Sequence, residues 1–255
     1  MSTVPATVSL VIPAYNRAAF VSAAVGSILR QTYIDFELVV WDDGSTDGTP
    51  DAAEKAAAGD SRVRVIRGEH AGVSQSINAA AKALGGKYFG WVDSDDALMP
   101  TALAETVAVL DAMPEIGMVY TDYVTMDESG QLQSVGKRCS IPYSKDRLLI
   151  DFMTFHFRLM RRELFDAVGG VDPSMDGAED YDLSLKLSEI TPFHHLARPL
   201  YLYRVHSGSV SSEQRLKQIM TSKEAIARAL KRRGMDSEYE IDVELIGRFK
   251  LKKRN

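Results

Sequence analysis

The first 120 residues alternate between short apolar runs and amphipathic segments, and this alternation restricts the possible folds more than any other feature. Residues 8–12 and 36–41 are short runs rich in β-branched and other apolar side chains, which is typical of buried strands. Residues 18–30 instead repeat apolar side chains at helical spacing. Such alternation predicts right-handed crossovers, and therefore an α/β fold with a mostly parallel central sheet flanked by helices.

The remainder of the chain continues this pattern and then becomes less regular. Further strands are predicted at 63–66, 87–92, 118–122, 155–160 and 201–206, and helices at 51–58, 74–84, 181–188, 212–232 and 238–252. Residues 127–130 predict a hairpin turn, and 136–150 lack any periodic pattern, so we expect a mobile loop there. We therefore expect one domain over residues 1–210 and a C-terminal helical tail over 211–255.

Composition excludes several classes of protein. A chain of 255 residues, 45 % of them hydrophobic, is able to bury the core of one large α/β domain. A net charge of −5 gives no reason to expect nucleic acid as a partner. The single cysteine, Cys139, excludes an intrachain disulfide and is interpreted as an unreactive thiol. Without a signal-peptide pattern or a run of about 18 apolar residues, we expect a soluble cytoplasmic protein.

Three polar loops follow predicted strands, at residues 13–17, 42–47 and 93–96. In open α/β sheets, ligands bind in the crevice beyond the carboxyl ends of the strands. We therefore expect the three loops to line one crevice.

The third loop, Asp93-Ser94-Asp95-Asp96, has two interpretations. An extended backbone would point Asp93 and Asp95 to the same side, and such oxygen ligands suit Mg²⁺ or Mn²⁺ bound together with substrate phosphates. Alternatively, Asp95 or Asp96 caps the helix that begins near residue 101. Both hold if Asp96 caps the helix and Asp95 binds a metal.

Residues of the second half are equally open to two interpretations. Glu179 and Asp180 begin a predicted helix, where negative charge is favourable on structural grounds alone, and Asp182 is expected on the helix surface. His156 belongs either to an acceptor-binding floor or to a half-buried strand. The basic tail, from residue 228 onward, would dock on an anionic membrane or pack on its own domain or a second subunit.

Together the three loops resemble family 2 glycosyltransferases with the GT-A fold. The resemblance rests on Pro13-Ala14-Tyr15-Asn16, on residues 42–47 and on residues 93–96, in this order, and it extends from residue 8 to about 210. It implies a nucleotide-binding half over 1–120 and an acceptor half over 121–210. The residues that it places at the nucleotide are Pro13, Ala14, Tyr15, Arg17, Asp42, Asp43, His70, Asp93, Ser94 and Asp95.

Within this family resemblance, Asp42 and Asp43 hydrogen-bond uracil, with Asp43 the better placed of the two. A carboxylate accepts the imide N–H that uracil has and cytosine lacks, which favours UDP over CDP. Asp95 binds Mn²⁺ or Mg²⁺, and His206 completes the shell of ligands, a combination that suits Mn²⁺ better. Asp180 is the general base.

The implied activity is transfer of a sugar from a UDP-sugar to an acceptor hydroxyl, with inversion at the anomeric carbon. The acceptor would be a glycan, a lipid-linked sugar or another hydroxyl compound. One alternative is a sugar-phosphate nucleotidyltransferase, although its first loop is usually Gly-rich, unlike residues 13–17. A second alternative is a non-catalytic protein that binds nucleotide sugars on the same fold.

Overall fold

The computed structural model describes residues 6–206 and 215–244 as helices packed on a nine-stranded sheet. The strands are β1 (Val8–Ala14), β2 (Phe36–Asp42), β3 (Val63–Arg67), β4 (Tyr88–Trp91), β5 (Ala97–Leu98), β6 (Met118–Met126), β7 (Leu132–Val135), β8 (Arg158–Arg161) and β9 (Phe193–Arg204). The helices are α1 (Val21–Leu29), α2 (Thr49–Ala57), α3 (Val73–Lys82), α4 (Ala102–Ala112), α5 (Arg162–Ala167), α6 (Glu179–Ile190) and α7 (Arg215–Arg232).

The strand order is β3-β2-β1-β4-β8-β6-β9-β5, and β7 pairs with β6 outside this row. The first four strands are mutually parallel, as are β6 and β9, whereas β8 is antiparallel to both of its neighbours. The predicted α/β class with a mostly parallel sheet is therefore confirmed. The chain moves outward from β1 to β3 and returns to β4 on the other side of β1. This reversal forms a crevice at the carboxyl ends of β1 and β4.

Strand β1 is buried along its whole length and continues through Pro13 to Ala14, two residues beyond the predicted 8–12. Proline lacks the N–H that a central strand would use. On the β4 side, however, Val11 accepts the last ladder bond, from the N–H of Val92. The backbone groups of residues two apart point to the same neighbouring strand, so an N–H of residue 13 would point toward β4. Because β4 has already ended there, the missing N–H of Pro13 costs no ladder bond. The strand can thus carry its backbone to the edge of the crevice.

The structure differs from the prediction in several places, most of them in the second half. Strand β6 extends to Met126, four residues past the predicted end, and β9 begins at Phe193, well before residue 201. The short β5 was not predicted. The segment 136–150 contains two 3₁₀ turns and buries Cys139 and Leu148, so hydrophobic burial orders a stretch that has no periodic pattern.

Helix α7 packs against α6, and its Ala225 and Ala229 are completely buried. Its guanidinium groups add ion pairs with the domain, including Arg232 Nε to Glu189 Oε2 at 2.9 Å. The predicted helix at 238–252 is wrong where it can be judged, because residues 238–244 are not helical. The rest of that segment, with its basic cluster, lies outside the described residues, and so do residues 207–214. Within residues 6–206 and 215–244, no helix has both the length and the apolar composition needed to cross a bilayer.

The side chain of Asn78 connects α3 to the segment after α5 through two hydrogen bonds to Val171. Its Nδ2 donates to the Val171 carbonyl at 2.7 Å, and its Oδ1 accepts from the Val171 N–H at 3.0 Å. Substitution of Asn78 by alanine would leave both backbone groups of a buried residue unsatisfied. We expect Asn78→Ala to lower the free energy of unfolding by about 2–4 kcal/mol in urea titrations. Gln75→Ala, at an exposed site of the same helix, is the control and should change it by less than about 0.5 kcal/mol.

Candidate functional site

A cleft of about 910 Å³ opens at the carboxyl ends of the parallel strands. Its size suits a ligand well beyond a single sugar, since small-molecule sites span roughly 300–1,000 Å³. The structure brings together most residues that the sequence analysis assigned to the site. Those in the lining are Pro13, Tyr15, Arg17, Asp43, His70, Asp93, Ser94, Asp95 and Asp180. Ala14, Asp42 and His206 are not part of the lining surface.

At one end of the cleft, Tyr15 and His70 stack with ring centroids 4.1 Å apart and form an exposed aromatic surface. Asp43 lies beside them, with its Oδ2 2.8 Å from His70 Nδ1. Its carboxylate also accepts the backbone N–H groups of Ala71 and Gly72 at 2.8 and 2.9 Å. Each carboxylate oxygen has two lone pairs, so Asp43 retains capacity for another N–H donor.

Ala14 and Asp42, both expected at the nucleotide, lie behind the lining at this end and form hydrogen bonds that shape its loops. The carbonyl of Ala14 accepts the Asp43 N–H at 2.8 Å, which sets where the second loop begins. Asp42 is buried, and its Oδ2 accepts the Ser45 N–H at 3.2 Å. Asn16, which has a positive φ of 52°, accepts the Thr46 N–H with its side chain at 2.9 Å. These bonds hold the first two loops together.

In the third loop, the carboxylates of Asp95 and Asp96 have separate partners. Oδ2 of Asp95 lies 2.9 Å from His206 Nε2 and 3.3 Å from Arg17 Nε. Asp96 is buried and accepts the Tyr201 hydroxyl and the Arg204 N–H, both at 2.7 Å. The helix-cap interpretation of Asp96 is therefore wrong. The side chain is used to attach the loop to β9, and α4 begins without a side-chain cap bond.

The crowding of these carboxylates affects their ionisation. Burial, followed by the charge of Asp95, raises the pKa of Asp93 to about 7. Burial and the charges of Asp93 and Asp95 raise the pKa of Asp96 well above its ordinary value. A positively charged ligand at this loop would favour the ionised carboxylates. Among the described residues, no group of three or more His, Cys, Asp or Glu side chains is arranged to hold a metal by itself.

Across the cleft, Glu179 and Asp180 begin α6, as predicted. Oδ2 of Asp180 accepts a hydrogen bond from Arg158 Nη1 at 3.0 Å. Oε2 of Glu179 accepts the Gly177 N–H at 2.7 Å, and burial and the charge of Asp180 raise the Glu179 pKa to about 8. Asp182 is completely buried rather than on the surface, and its Oδ2 lies 2.6 Å from Lys186 Nζ.

His156 is a buried member of the cleft wall and precedes β8, so it does not belong to a half-buried strand, and its place in an acceptor-binding floor stays a prediction. Its ring stacks on Tyr201 with centroids 4.8 Å apart. Burial, together with the charge of Arg158, lowers the pKa of His156 well below its ordinary value, which keeps the ring neutral. Cys139 is likewise buried, and burial raises the pKa of its thiol to about 12, in agreement with an unreactive side chain.

Two residues that organise this site were not identified from the sequence, Arg158 and Tyr201. Arg158 could have been identified from the sequence, because a charged residue within the apolar run 155–160 is expected to have a buried partner. Tyr201 gave no such signal, since a tyrosine in a strand is ordinarily a packing residue.

The chain belongs to glycosyl transferase family 2, whose model matches residues 9–169. This agrees with the family resemblance of the three loops. Among curated relatives, chondroitin synthase from Escherichia coli is 35 % identical over 204 residues, which is 80 % of this chain and 30 % of that protein. The O-antigen biosynthesis protein RfbC from Myxococcus xanthus is 34 % identical over 230 residues, or 88 % of this chain and 18 % of that protein. The chain thus spans less than a third of these relatives.

Solved structures confirm the GT-A fold. S. aureus TarS in complex with UDP-GlcNAc superposes with a TM-score of 0.70 at 21 % identity, covering 88 % of this chain and 66 % of that one. A mannosyltransferase from Pyrobaculum calidifontis, in complex with GDP-Man and Mn²⁺, gives 0.68 at 22 % identity, covering 89 % and 65 %. At these identities the likeness concerns the fold.

The raised pKa of Glu179 predicts a pH-dependent stability. The folded protein retains this proton up to a pH of about 8, whereas the unfolded chain releases it near the ordinary value of 4.5. Deprotonation therefore favours the unfolded state, and this residue lowers the free energy of unfolding as pH rises between the two values. Glutamine resembles the neutral acid at every pH. We expect Glu179→Gln to gain stability relative to the parent protein from pH 5 to pH 8, measured by urea unfolding in EDTA. The exposed Glu163→Gln, which also removes one carboxylate, is the control for the change in net charge.

Proposed function

We propose that this domain transfers a sugar from a UDP-sugar to an acceptor hydroxyl, with inversion at the anomeric carbon. The observation that carries the proposal is that Asp43, Asp95 and Asp180, which lie far apart in the sequence, line one cleft. Each would have a different role in the reaction. Asp43 would recognise the base, Asp95 would help to neutralise the diphosphate, and Asp180 would accept a proton.

The donor would bind with its uracil against Asp43 and the surface formed by Tyr15 and His70. The remaining lone pair of the Asp43 carboxylate, on Oδ1, suits the imide N–H of uracil, and the aromatic surface suits a flat base. The TarS complex with UDP-GlcNAc supports this choice of donor. Because the mannosyltransferase neighbour carries GDP-Man, a nucleotide panel that includes GDP is the direct test of base preference.

Asp95 and His206 fit a divalent cation, and Mn²⁺ is favoured by the combination of a carboxylate with an imidazole. Their proximity, 2.9 Å between Asp95 Oδ2 and His206 Nε2, puts two suitable ligands at one point. Such ions commonly take one or two protein ligands together with substrate phosphates, so a larger cluster is not required. When bound, the cation would stabilise the negative charge that develops on the departing diphosphate. The Mn²⁺ in the mannosyltransferase complex supports this assignment.

Asp180 would act as the general base. Its carboxylate takes the proton of the acceptor hydroxyl while that oxygen forms a bond to the anomeric carbon and the bond to the β-phosphate oxygen breaks. UDP leaves with the bonding electrons, and the single displacement inverts the anomeric configuration.

The acceptor would enter at the end of the cleft away from the nucleotide. Phe152, Phe155 and Tyr203 offer aromatic surface there, and the guanidinium of Arg138 lies 4.8 Å from the Phe155 ring centre. Helix α7 contributes further lining through Arg215, Gln218, Ile219 and Ser222. The chondroitin synthase and O-antigen relatives support a saccharide acceptor in polysaccharide synthesis.

The metal assignment predicts how Asp95 affects UDP binding. We expect Asp95→Ala to lower the affinity for UDP in the presence of Mn²⁺ by at least about tenfold, because the cation loses a ligand at the diphosphate. Calorimetry with Mn²⁺ and with EDTA measures the effect. Asp146→Ala, at a side chain that is 86 % exposed, is the control and should bind UDP as the parent does. Equal Mn²⁺-dependent affinity in the Asp95 variant would remove Asp95 from the metal site.

The base assignment predicts a different signature for Asp180. Asparagine preserves the size of the side chain but cannot accept the hydroxyl proton, so Asp180→Asn should retain UDP affinity and lose at least about 100-fold in kcat. Transfer is measured with a panel of UDP-sugars and saccharide acceptors. A variant that transfers sugar at the parental rate would show that another group takes the proton.

A further inference from the structure

A buried chain of polar contacts connects the two sides of the cleft. It begins at Asp93, whose Oδ2 lies 3.3 Å from His156 Nε2. It continues from His156 Nδ1 to Arg158 Nη2, also at 3.3 Å, and ends where Arg158 Nη1 donates to Asp180 Oδ2 at 3.0 Å. The donor loop and the proposed base are therefore linked by two side chains.

The chemistry of arginine determines the tautomer of His156. A guanidinium has donors only, so the nitrogen that faces Arg158, Nδ1, must be the acceptor. The neutral imidazole consequently carries its proton on Nε2, the nitrogen beside Asp93. The other tautomer would place two donors face to face at Arg158, and a ring rotated by 180° would place a carbon atom there in place of the acceptor.

Both linking side chains are immobilised by their surroundings. Arg158 is 2 % exposed, its guanidinium lies 5.0 Å from the Trp91 ring centre, and Nη1 also donates to the Thr154 carbonyl at 3.1 Å. His156 is held on its other side by the ring of Tyr201. A buried arginine between aromatic and polar neighbours has few alternative rotamers, because leaving any partner would leave a buried donor unsatisfied.

We propose that Arg158 and His156 are positioning residues that hold Asp180 and Asp93 on one rigid frame. The inference rests on the proposed function and adds two residues to it. Arg158 Nη1 donates to Oδ2 of Asp180 and lowers the basicity of that oxygen, which assigns Oδ1 as the oxygen that takes the acceptor proton. His156 maintains the spacing between this base and the donor loop, so that the acceptor hydroxyl and the anomeric carbon meet in line. Neither residue transfers a proton itself.

The first test removes the link at Arg158. We expect Arg158→Ala to lower kcat by at least about 100-fold, as for a displaced catalytic group, while UDP affinity is unchanged. Low millimolar guanidinium chloride should restore part of the rate by occupying the vacated site, and sodium chloride of equal ionic strength should not. Arg161→Ala is the matched control: Arg161 is on the same strand and donates to the Ile116, Leu110 and Met113 carbonyls, but does not line the cleft. Its loss should lower stability without this rescue.

The second test separates the two contacts of His156. Glutamine places an amide nitrogen near the position of Nε2, and asparagine places an amide oxygen near that of Nδ1. We expect His156→Asn to retain the contact with Arg158 and more of kcat, and His156→Gln to retain the contact with Asp93 and more of the parental donor KM. His194→Gln, on β9 and outside the cleft lining, is the control. Equal losses in both variants would indicate packing alone and overturn the proposal.

A third measurement does not depend on activity. Nitrogen-15 NMR of the imidazole should show His156 as the Nε2–H tautomer in the parent protein and a tautomer mixture in Arg158→Lys, whose single ammonium cannot reproduce the fork of donors. A parent protein with the Nδ1–H tautomer would refute the frame even if sugar transfer were observed. Conversely, the expected tautomer in a protein that binds no UDP would refute the proposed function and leave the frame intact.

Discussion

The two hydrogen bonds that Asp96 accepts from β9 are the constraint on which the rest of the site depends. They attach the third loop to a strand from the other half of the chain, through the Tyr201 hydroxyl and the Arg204 N–H. The same hydroxyl accepts the Asp93 N–H at 3.3 Å, and the Tyr201 ring supports His156. His156 in turn contacts Arg158, whose Nη1 donates to Asp180, so the attachment is connected to the far side of the cleft.

The negative charges of the site lie close together in one loop, whereas the positive charges come from several different elements. Three carboxylates occupy residues 93–96. Arg17 in the first loop donates to the Asp95 carboxylate, the charge of Arg158 on β8 acts on Asp93, and the guanidinium of Arg204 on β9 donates to the Asp95 carbonyl. Burial and the charges of Asp95 and Asp180 raise the pKa of Asp93, Arg158 and Arg17 oppose this rise, and a cation at the proposed metal site would oppose it further.

Sequence reasoning succeeded where a residue's environment follows from its neighbours in the chain. The first four strands and the loops after β1, β2 and β4 were predicted because apolar runs of four to seven residues end abruptly in polar turns. It failed where partners come from elsewhere. Asp96 looked like a cap because the next helix is near in sequence, whereas its actual partners are more than 100 residues away. Over residues 238–244 the predicted helix is wrong, because the spacing of apolar residues alone does not supply a surface to pack against.

The sequence by itself determined the class of the fold, the family and the three loops that meet at the cleft, because periodicity and local motifs are properties of adjacent residues. Only the tertiary structure decided the contacts, and therefore the structural role, of each carboxylate. Asp42 supports a loop, Asp96 anchors a strand, and Asp95 faces His206, although all three are acidic residues at the end of a strand. The physical reason is that the role of a carboxylate is set by its donors and its burial, and these are supplied by segments distant in the chain.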